Sequence, residues 1–486
     1  MDSLFSGIDI KEGYLFSLFF LSIILLIFFS ELSLKKNIWP NHINRKIIHI
    51  SVGIAVSLSP YIFTSRLKPC LLALIFFTIN LISYRKNRLN SFHLIERDSY
   101  GTIFFPLSYL LLASLFWDYP NHITASFLIL AIADPISSII GSLNKKNKSY
   151  NILGDNKTLE GSTAMFLCST IILSLLSQLI FTDLSTGFKL IAILTTSIAI
   201  TISEGLSYKG SDNLTIPITA FLFIELFNHL NKINFVSEFL FIITLIVLSL
   251  FTFYTKKHLS ISGFIGASLM AALLFGFGGY SYTYPIVVFF ITSTILSFIK
   301  KQNTEIKKSN RTINQVYANG GIALSICILN YFFSHSLMYP CFLASVAAAN
   351  SDTWGTEIGK KSNKNPIDIL SGNTVSEGVS GGITLYGKIG SILGSILIGI
   401  IGYYFLTDIK IILFIIISGF ISSIFDSILG SSVQARYISP DGLIITEEYK
   451  KSYYLYTGSK QVNNDIVNLC CTISGPLIFL IIHSAI

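Results

Sequence analysis

The sequence is short of charge. Only 12% of its 486 residues are Asp, Glu, Lys or Arg, against 52% hydrophobic residues, whereas soluble domains carry about 25% charged residues. That shortage excludes a soluble globular chain. Apolar runs such as 14–34 and 235–254 leave charge out almost entirely, which is the pattern of lipid-spanning helices. Cysteine is also scarce. Cys70, Cys168, Cys327, Cys341, Cys470 and Cys471 sit in or beside apolar runs with no C-x-x-C spacing, which argues against a disulfide framework and a thiolate zinc site. The motifs G-x-x-x-x-G-K-[ST], G-x-G-x-x-G and H-E-x-x-H are missing, so a nucleotide, if used, binds by another scheme. No cleavable signal peptide is expected, because the first apolar run lacks a small-residue cleavage site and leads into Lys35-Lys36.

What is present is a series of about sixteen apolar runs. They predict an all-α polytopic membrane protein whose helices form two bundle domains, residues 1–233 and 256–486, containing a parallel internal repeat. With the N-terminus outside, the breaks between runs place 28 of the 34 Lys and Arg residues on the cytoplasmic side and 6 on the other, as membrane orientation requires. The net charge of +8 then serves orientation, anionic lipid and nucleotide, and no nucleic-acid partner is expected. The long polar segments 143–161, 300–316, 351–387 and 430–465 fall on the same side. Chemistry is therefore expected at the cytoplasmic surface.

Ionisable residues at the edge of lipid-embedded helices are costly and become functional candidates. Asp134 closes the fifth run and Glu160 opens the sixth. Glu204 closes the seventh, and Asp212-Asn213 opens the eighth. In the second half Asp352 closes a run, Glu377-Gly378 is expected to open the next, Asp426 closes another and Asn464-Asp465 opens the last. Asp134 to Glu160 is 26 residues and Asp352 to Glu377 is 25; Glu160 to Glu204 is 44, against 49 from Glu377 to Asp426. One four-helix site is read twice. Arg45-Lys46 with His49, and Arg311 with Gln315 and Asn319, each place a cation and a hydrogen-bonding group on one helical face.

These residue types suit phosphoryl transfer. Mg²⁺ takes one or two carboxylates together with substrate phosphates, helix N-termini favour phosphate, and a lysine such as Lys157 can neutralise charge on the transferring group.

At these residues the first half, over roughly 30–230, resembles the phytol kinase and dolichol kinase group. The resemblance is carried by Arg45-Lys46…His49, Asp134-Pro135…Gly141, Lys157-Thr158-Leu159-Glu160-Gly161-Ser162 and Asp212-Asn213…Pro217. The second half, over roughly 256–486, resembles the phytyl-phosphate kinase family through Ser351-Asp352-Thr353-Trp354-Gly355-Thr356-Glu357-Ile358-Gly359, Gly381-Gly382-Ile383-Thr384 and Asp426-Ser427-Ile428-Leu429-Gly430. The resemblance implies CTP as phosphoryl donor, Mg²⁺ as cofactor and a long-chain isoprenoid alcohol as acceptor. It implies a bifunctional kinase that makes the monophosphate and then the diphosphate, with phytol the leading acceptor and tocopherol precursors downstream. The membrane would be the plasma membrane of a bacterium or the plastid envelope of a plant.

On this reading the metal ligands are Asp134, Glu160 and Asp212 in the first site, and Asp352, Glu357, Glu377, Asp426 and Asp465 in the second. Lys157, Arg45, His49 and Arg311 take catalytic roles. Lys46, Thr158, Gly161, Ser162, Asn213, Thr353, Gly378, Gln315, Asn319 and Asn464 meet nucleotide or phosphate. Two rival classes remain: a CDP-lipid synthase, which would release pyrophosphate, and a secondary transporter, which would also carry internal repeats.

Overall fold

The computed structural model describes residues 10–36, 38–86, 99–143, 148–298, 310–362, 365–377, 379–441, 445–447, 449 and 452–485. Gly378 lies outside the described residues. The chain divides into two compact units, Met1–Val236 and Ser237–Ile486. Each is helical, because in lipid every backbone polar group has to be satisfied within its own segment.

The first unit holds α1 (Ile10–Lys35), α2 (Asn41–Ile62), α3 (Leu67–Lys86), α4 (Gly101–Phe116), α5 (Pro120–Leu128), a π-helical turn (Ile129–Ala133) and α6 (Asp134–Ser142). A hairpin of β1 (Ser149–Asn151) and β2 (Asn156–Thr158) follows, then α7 (Leu159–Ile180), α8 (Thr186–Gly205) and α9 (Asp212–Lys232). The core sits on α5 and the π turn, where Ile123, Ala125, Phe127, Ile129, Leu130, Ala131 and Ala133 are fully buried and meet α2, α7 and α9. Gly53 of α2 lets this contact close: a Cβ there would stand 2.5 Å from that of Ala131.

The second unit holds α10 (Val236–Thr255), α11 (Ile261–Phe298), α12 (Ile313–Phe333), α13 (Met338–Gly359), β3 (Ile367–Asp368), β4 (Gly382–Ile383), α14 (Leu385–Leu406) and α15 (Ile409–Ser432). Strands β5 (Arg436–Ile438), β6 (Ile445–Thr446) and β7 (Tyr454–Thr457) form an antiparallel sheet in the order β6-β5-β7, followed by α16 (Asn464–Ala485). Every residue of α13 from Pro340 through Ser351 is buried, as a helix surrounded by others requires. Its Ala and Ser residues leave room for close neighbours, and three of those neighbours answer with a glycine. A Cβ at Gly394 of α14 would lie 2.8 Å from Asn350 O, at Gly419 of α15 2.8 Å from Ala347 Cβ, and at Gly475 of α16 2.5 Å from Ala344 O. Small-residue contacts of this kind hold helices together where no hydrophobic drive separates helix from lipid.

Helix α11 is 38 residues long and breaks at Gly279, whose φ is +60° and ψ is −151°. Phe264 and Phe290, one on each side of the break, both meet the end of α10, through Phe251 and Phe253. Arg311 touches Gly263 and lies 5.5 Å over the Phe290 ring. A straight helix would hold Phe264 and Phe290 about 39 Å apart, so α11 doubles back at Gly279. This accounts for two of the expected runs.

Among the described residues twelve helices are long and apolar enough to span a membrane, against the sixteen runs read from sequence. The difference lies in α2, α4, α13 and the doubled α11. Helix α4 has only 16 residues, while α2 and α13 carry polar residues at the ends that build the site described below. The chain is an integral, multi-pass, all-α membrane protein.

The two units share a local register. Asp134 precedes Gly141 by seven residues, and Asp352 precedes Gly359 by seven. Thr158 caps α7 by accepting from Gly161 N, and Thr384 caps α14 by accepting from Gly387 N. A Cβ at Gly141 would stand 3.5 Å from Gly161 Cα; one at Gly359 would stand 3.4 Å from Gly387 Cα. This register corrects one expectation. The helix read as opening at Glu377 begins at Leu385, because residues 365–383 turn through β3 and β4 before the Thr384 cap. The position matching Glu160 is therefore Tyr386.

Candidate active site

In the first unit the ends of several helices meet the β1–β2 hairpin. The π turn brings the last helical stretch before Asp134 against α2, where His49 Nε2 donates to Leu130 O at 3.0 Å and lies 3.9 Å from Asp134 Oδ2. π turns of this kind recur at functional sites. The β1–β2 hairpin delivers Lys157, the residue just before the Thr158 cap, to the ends of two helices. Its Nζ lies 2.5 Å from Glu204 Oε1 and 3.8 Å from Asp212 Oδ2. Burial works against the charge on Lys157, but Glu204 and Asp212 outweigh it and hold its pKa above the ordinary lysine range. Ser207 donates to Asp212 Oδ2 at 3.4 Å. Asn213 donates to Gly101 O at 2.9 Å.

Arg45 lies in the electrostatic field of Asp212 and Asp134, and Lys46 in that of Asp134. Two polar atoms here are buried without a partner: Glu160 Oε2 and Asn213 Oδ1. Buried acceptors of that kind are expensive unless a ligand completes them. The remaining sequence-named residues take supporting positions. Thr158 caps α7, Gly161 allows α6 to approach α7, and Ser162 Oγ lies 2.7 Å from Tyr150 OH.

An apolar cavity of about 150 Å³ opens beside this cluster. Arg45, His49 and Asn213 line its polar end, and Val52 and Val56 of α2, Phe63 just after it, Leu72 and Phe76 of α3 and Phe105 and Tyr109 of α4 line its body.

In the second unit Asp352 and Asp426 stand within hydrogen-bonding reach of one another. Asp426 Oδ2 is buried with no donor, and the Cys471 thiol sits in the field of both carboxyls. Glu447 reaches the same field and accepts from Ser380 N at 2.5 Å. Glu357 pairs with Lys360 at 2.8 Å. Burial pulls the Arg311 guanidinium below its ordinary pKa, with Glu357 opposing.

Other residues named for this site are placed elsewhere or otherwise engaged. Gln315 Oε1 accepts from Thr312 N in a capping box, and Thr353 Oγ1 bonds back to Ala349 O. Glu377 is exposed on the loop before β4, Asn464 is exposed and Asp465 half-buried in the first turn of α16, and Asn319 is half-buried on α12.

Sequence reasoning gave Glu204 no role beside Lys157 and missed Glu447, Asp368 and Arg436 altogether. Asp368 is buried and accepts from Ser371 N at 2.9 Å, from Ser431 Oγ at 2.8 Å and from Arg436 at 3.3 Å. Burial would raise its pKa, but the bonds from Ser371, Ser431 and Arg436 bring it down to about 2. Arg436 also donates to Ser380 O at 2.5 Å and Gly430 O at 3.1 Å, which fixes the 365–383 segment against the end of α15. The signal in sequence was a lone Asp and Arg inside long polar segments, with nothing to pair them.

Among the described residues no group of three or more His, Cys, Asp or Glu is placed to hold a metal ion unaided. The donor sets are instead one or two carboxylates beside partnerless buried oxygens, Glu160 Oε2 and Asp426 Oδ2. That is what Mg²⁺ carried in by phosphates needs.

The chain matches the family described as Integral membrane protein DUF92 over residues 244–476. It is 31% identical over 247 residues to the uncharacterized membrane protein MJ0933 of Methanocaldococcus jannaschii, covering 50% of this chain and 93% of that protein. It is 28% identical over 194 residues to a phytol kinase of Synechocystis, covering 39% of this chain and 81% of the kinase. It is 27% identical over 231 residues to Protein PGR of Arabidopsis thaliana, covering 40% and 80%. No solved structure matches the chain.

Proposed function

Since the chain belongs to the DUF92 family of integral membrane proteins and also resembles a phytol kinase, we propose that it phosphorylates a long-chain isoprenoid alcohol twice at the cytoplasmic membrane face. The first unit would transfer the terminal phosphoryl group of CTP to the alcohol, and the second would extend the monophosphate to the diphosphate. Phytol is the leading acceptor. The observation that carries this reading is the junction in the first unit between the Asp134–Lys157–Asp212 cluster and the apolar cavity, made by Arg45, His49 and Asn213. A polar head and a hydrocarbon tail have adjoining places.

In the transfer the acceptor oxygen forms a bond to phosphorus as the bond to the departing CDP breaks, and the hydroxyl proton passes late in a loose transition state to a carboxylate of the Asp134–Asp212 cluster. One or two of Asp134, Glu160 and Asp212 would hold Mg²⁺ brought in on phosphate in the first unit, and Asp352 and Asp426 in the second, where the ion would offset phosphate charge. Lys157, kept cationic by Glu204 and Asp212, stabilises charge on the transferring group. Arg45 and His49 take phosphate oxygens or the acceptor hydroxyl at the cavity mouth. In the second unit the acceptor is already an anion and needs no base.

The test supplies purified protein with radiolabelled CTP or ATP and a panel of prenols, and resolves mono- from diphosphate. Asp134→Asn is expected to abolish the first product while sparing phosphorylation of supplied monophosphate, and Asp352→Asn to let monophosphate accumulate. Equal loss of both steps in folded protein would overturn the two-site division. Release of pyrophosphate in place of CDP would make the protein a cytidylyltransferase.

A further inference from the structure

Resting on the reading of the first unit as a prenol kinase, we infer that Tyr109, held by Ser59, is the depth stop of the cavity and sets the length of acceptor tail that this unit takes. The cavity-lining residues of α2 are Arg45, Ile48, His49, Val52, Val56 and Ser59, one stripe along the helix, with Phe63 just past its end. At the α-helical rise, Ser59 lies about 21 Å along α2 from Arg45. Half of the bilayer's hydrocarbon core is about 15 Å. A tail whose head rests at Arg45 therefore passes the middle of the membrane before it meets Ser59.

At that depth the lining changes. Ser59 Oγ donates to Val56 O at 2.5 Å, so the contact of 2.5 Å between Ser59 Oγ and Tyr109 OH is donated by the tyrosine. Ser59 is 1% exposed and Tyr109 4%, and the ring is braced edge-on by Phe127 at 5.2 Å. With both hydroxyl protons committed inside the protein, the pair offers a ligand no donor, and the tyrosine acts by volume. The chain just past α2 is also held. Beyond Phe63, Thr64 N donates to Glu12 Oε1 at 2.9 Å and Lys68 Nζ lies 2.6 Å from Glu12 Oε2.

The experiment compares wild type, Val56→Phe, Tyr109→Ala and Tyr109→Phe on all-trans prenols of increasing length. It measures kcat/KM for CTP-dependent phosphorylation and, separately, maps photolabelling by prenols with a diazirine at the tail end. Val56→Phe is expected to shift preference toward shorter tails and Tyr109→Ala toward longer ones, each changing the long-to-short ratio about tenfold. Tyr109→Phe, which keeps the ring, is expected to leave the profile in place, and the label from the preferred length to fall on α4 beside Tyr109. If Tyr109→Ala fails to fold, Val56→Phe and the label decide. A uniform change across all lengths, or a label that never reaches α4, would overturn the depth stop. Labelling at Tyr109 that tracks tail length in a protein that phosphorylates no prenol would overturn the kinase reading and still support the stop.

Discussion

Lys157 Nζ lies 2.5 Å from Glu204 Oε1, in a pair whose side chains are 16% and 7% exposed. One cation on a short hairpin thus holds the last turn of α8, and its longer contact to Asp212 joins the first turn of α9.

Removing that cation leaves Glu204 buried and unpaired. Lys157→Met is expected to cost about 3–5 kcal/mol, and Lys157→Met combined with Glu204→Gln less than the sum of the single changes. Thermal unfolding in detergent reads both. The pKa of Lys157 is raised on folding, so its contribution is complete below the unfolded value near 10.4 and is lost as pH rises through the higher folded value. The gap between wild type and Lys157→Met is expected to stay constant through neutral pH and to close only in strong alkali.

Glu447 shares the field of Asp426. Glu447→Gln is expected to slow phosphorylation of a supplied monophosphate by about 10-fold to 100-fold while alcohol phosphorylation continues, as product analysis would show. Equal slowing of both steps would detach Glu447 from the second unit's chemistry.

The Asp368–Arg436 pair anchors the loop ahead of α14. Asp368→Asn is expected to raise amide hydrogen exchange across 369–382 while α13 and α15 remain protected. The carboxyl titrates at about 2 in the fold, so its stabilisation is complete above the ordinary carboxylate value of about 4 and disappears as pH falls toward 2. Faster exchange of this loop in that window, absent in Asp368→Asn, checks the sign.

Gly475 and Gly187 make opposite predictions from one substitution. A Cβ at Gly475 would stand 2.5 Å from Ala344 O, while one at Gly187 meets nothing within 4 Å. Gly475→Ala is expected to destabilise by about 1–3 kcal/mol, and Gly187→Ala to be neutral or slightly stabilising. Unfolding temperatures of the two variants separate them.

The helices were legible because each apolar run has a single stable solution in lipid, and the polar breaks between them located Asp134, Lys157, Asp212, Asp352 and Asp426. Register across long loops was not. Spacing alone matched Glu377 to Glu160, since 25 and 26 residues look alike, whereas the Thr384 cap and the contact of Gly359 with Gly387 put Tyr386 there. Glu447, Asp368 and Arg436 were hidden for the same reason: a partner 68 residues away leaves no periodic trace. The cavity, lined by five helices, is likewise a property of packing that no single run announces.

Gly279 gives the chain a reversal where its neighbours would otherwise extend one rod. A continuous helix of that length would reach about 57 Å, nearly twice the hydrocarbon thickness of about 30 Å. What limits the position is backbone strain and not crowding, since its surroundings are open. Parity follows from this: every segment after residue 279 owes its sidedness to one turn, and a β-branched residue there would put at stake which compartment each later loop enters.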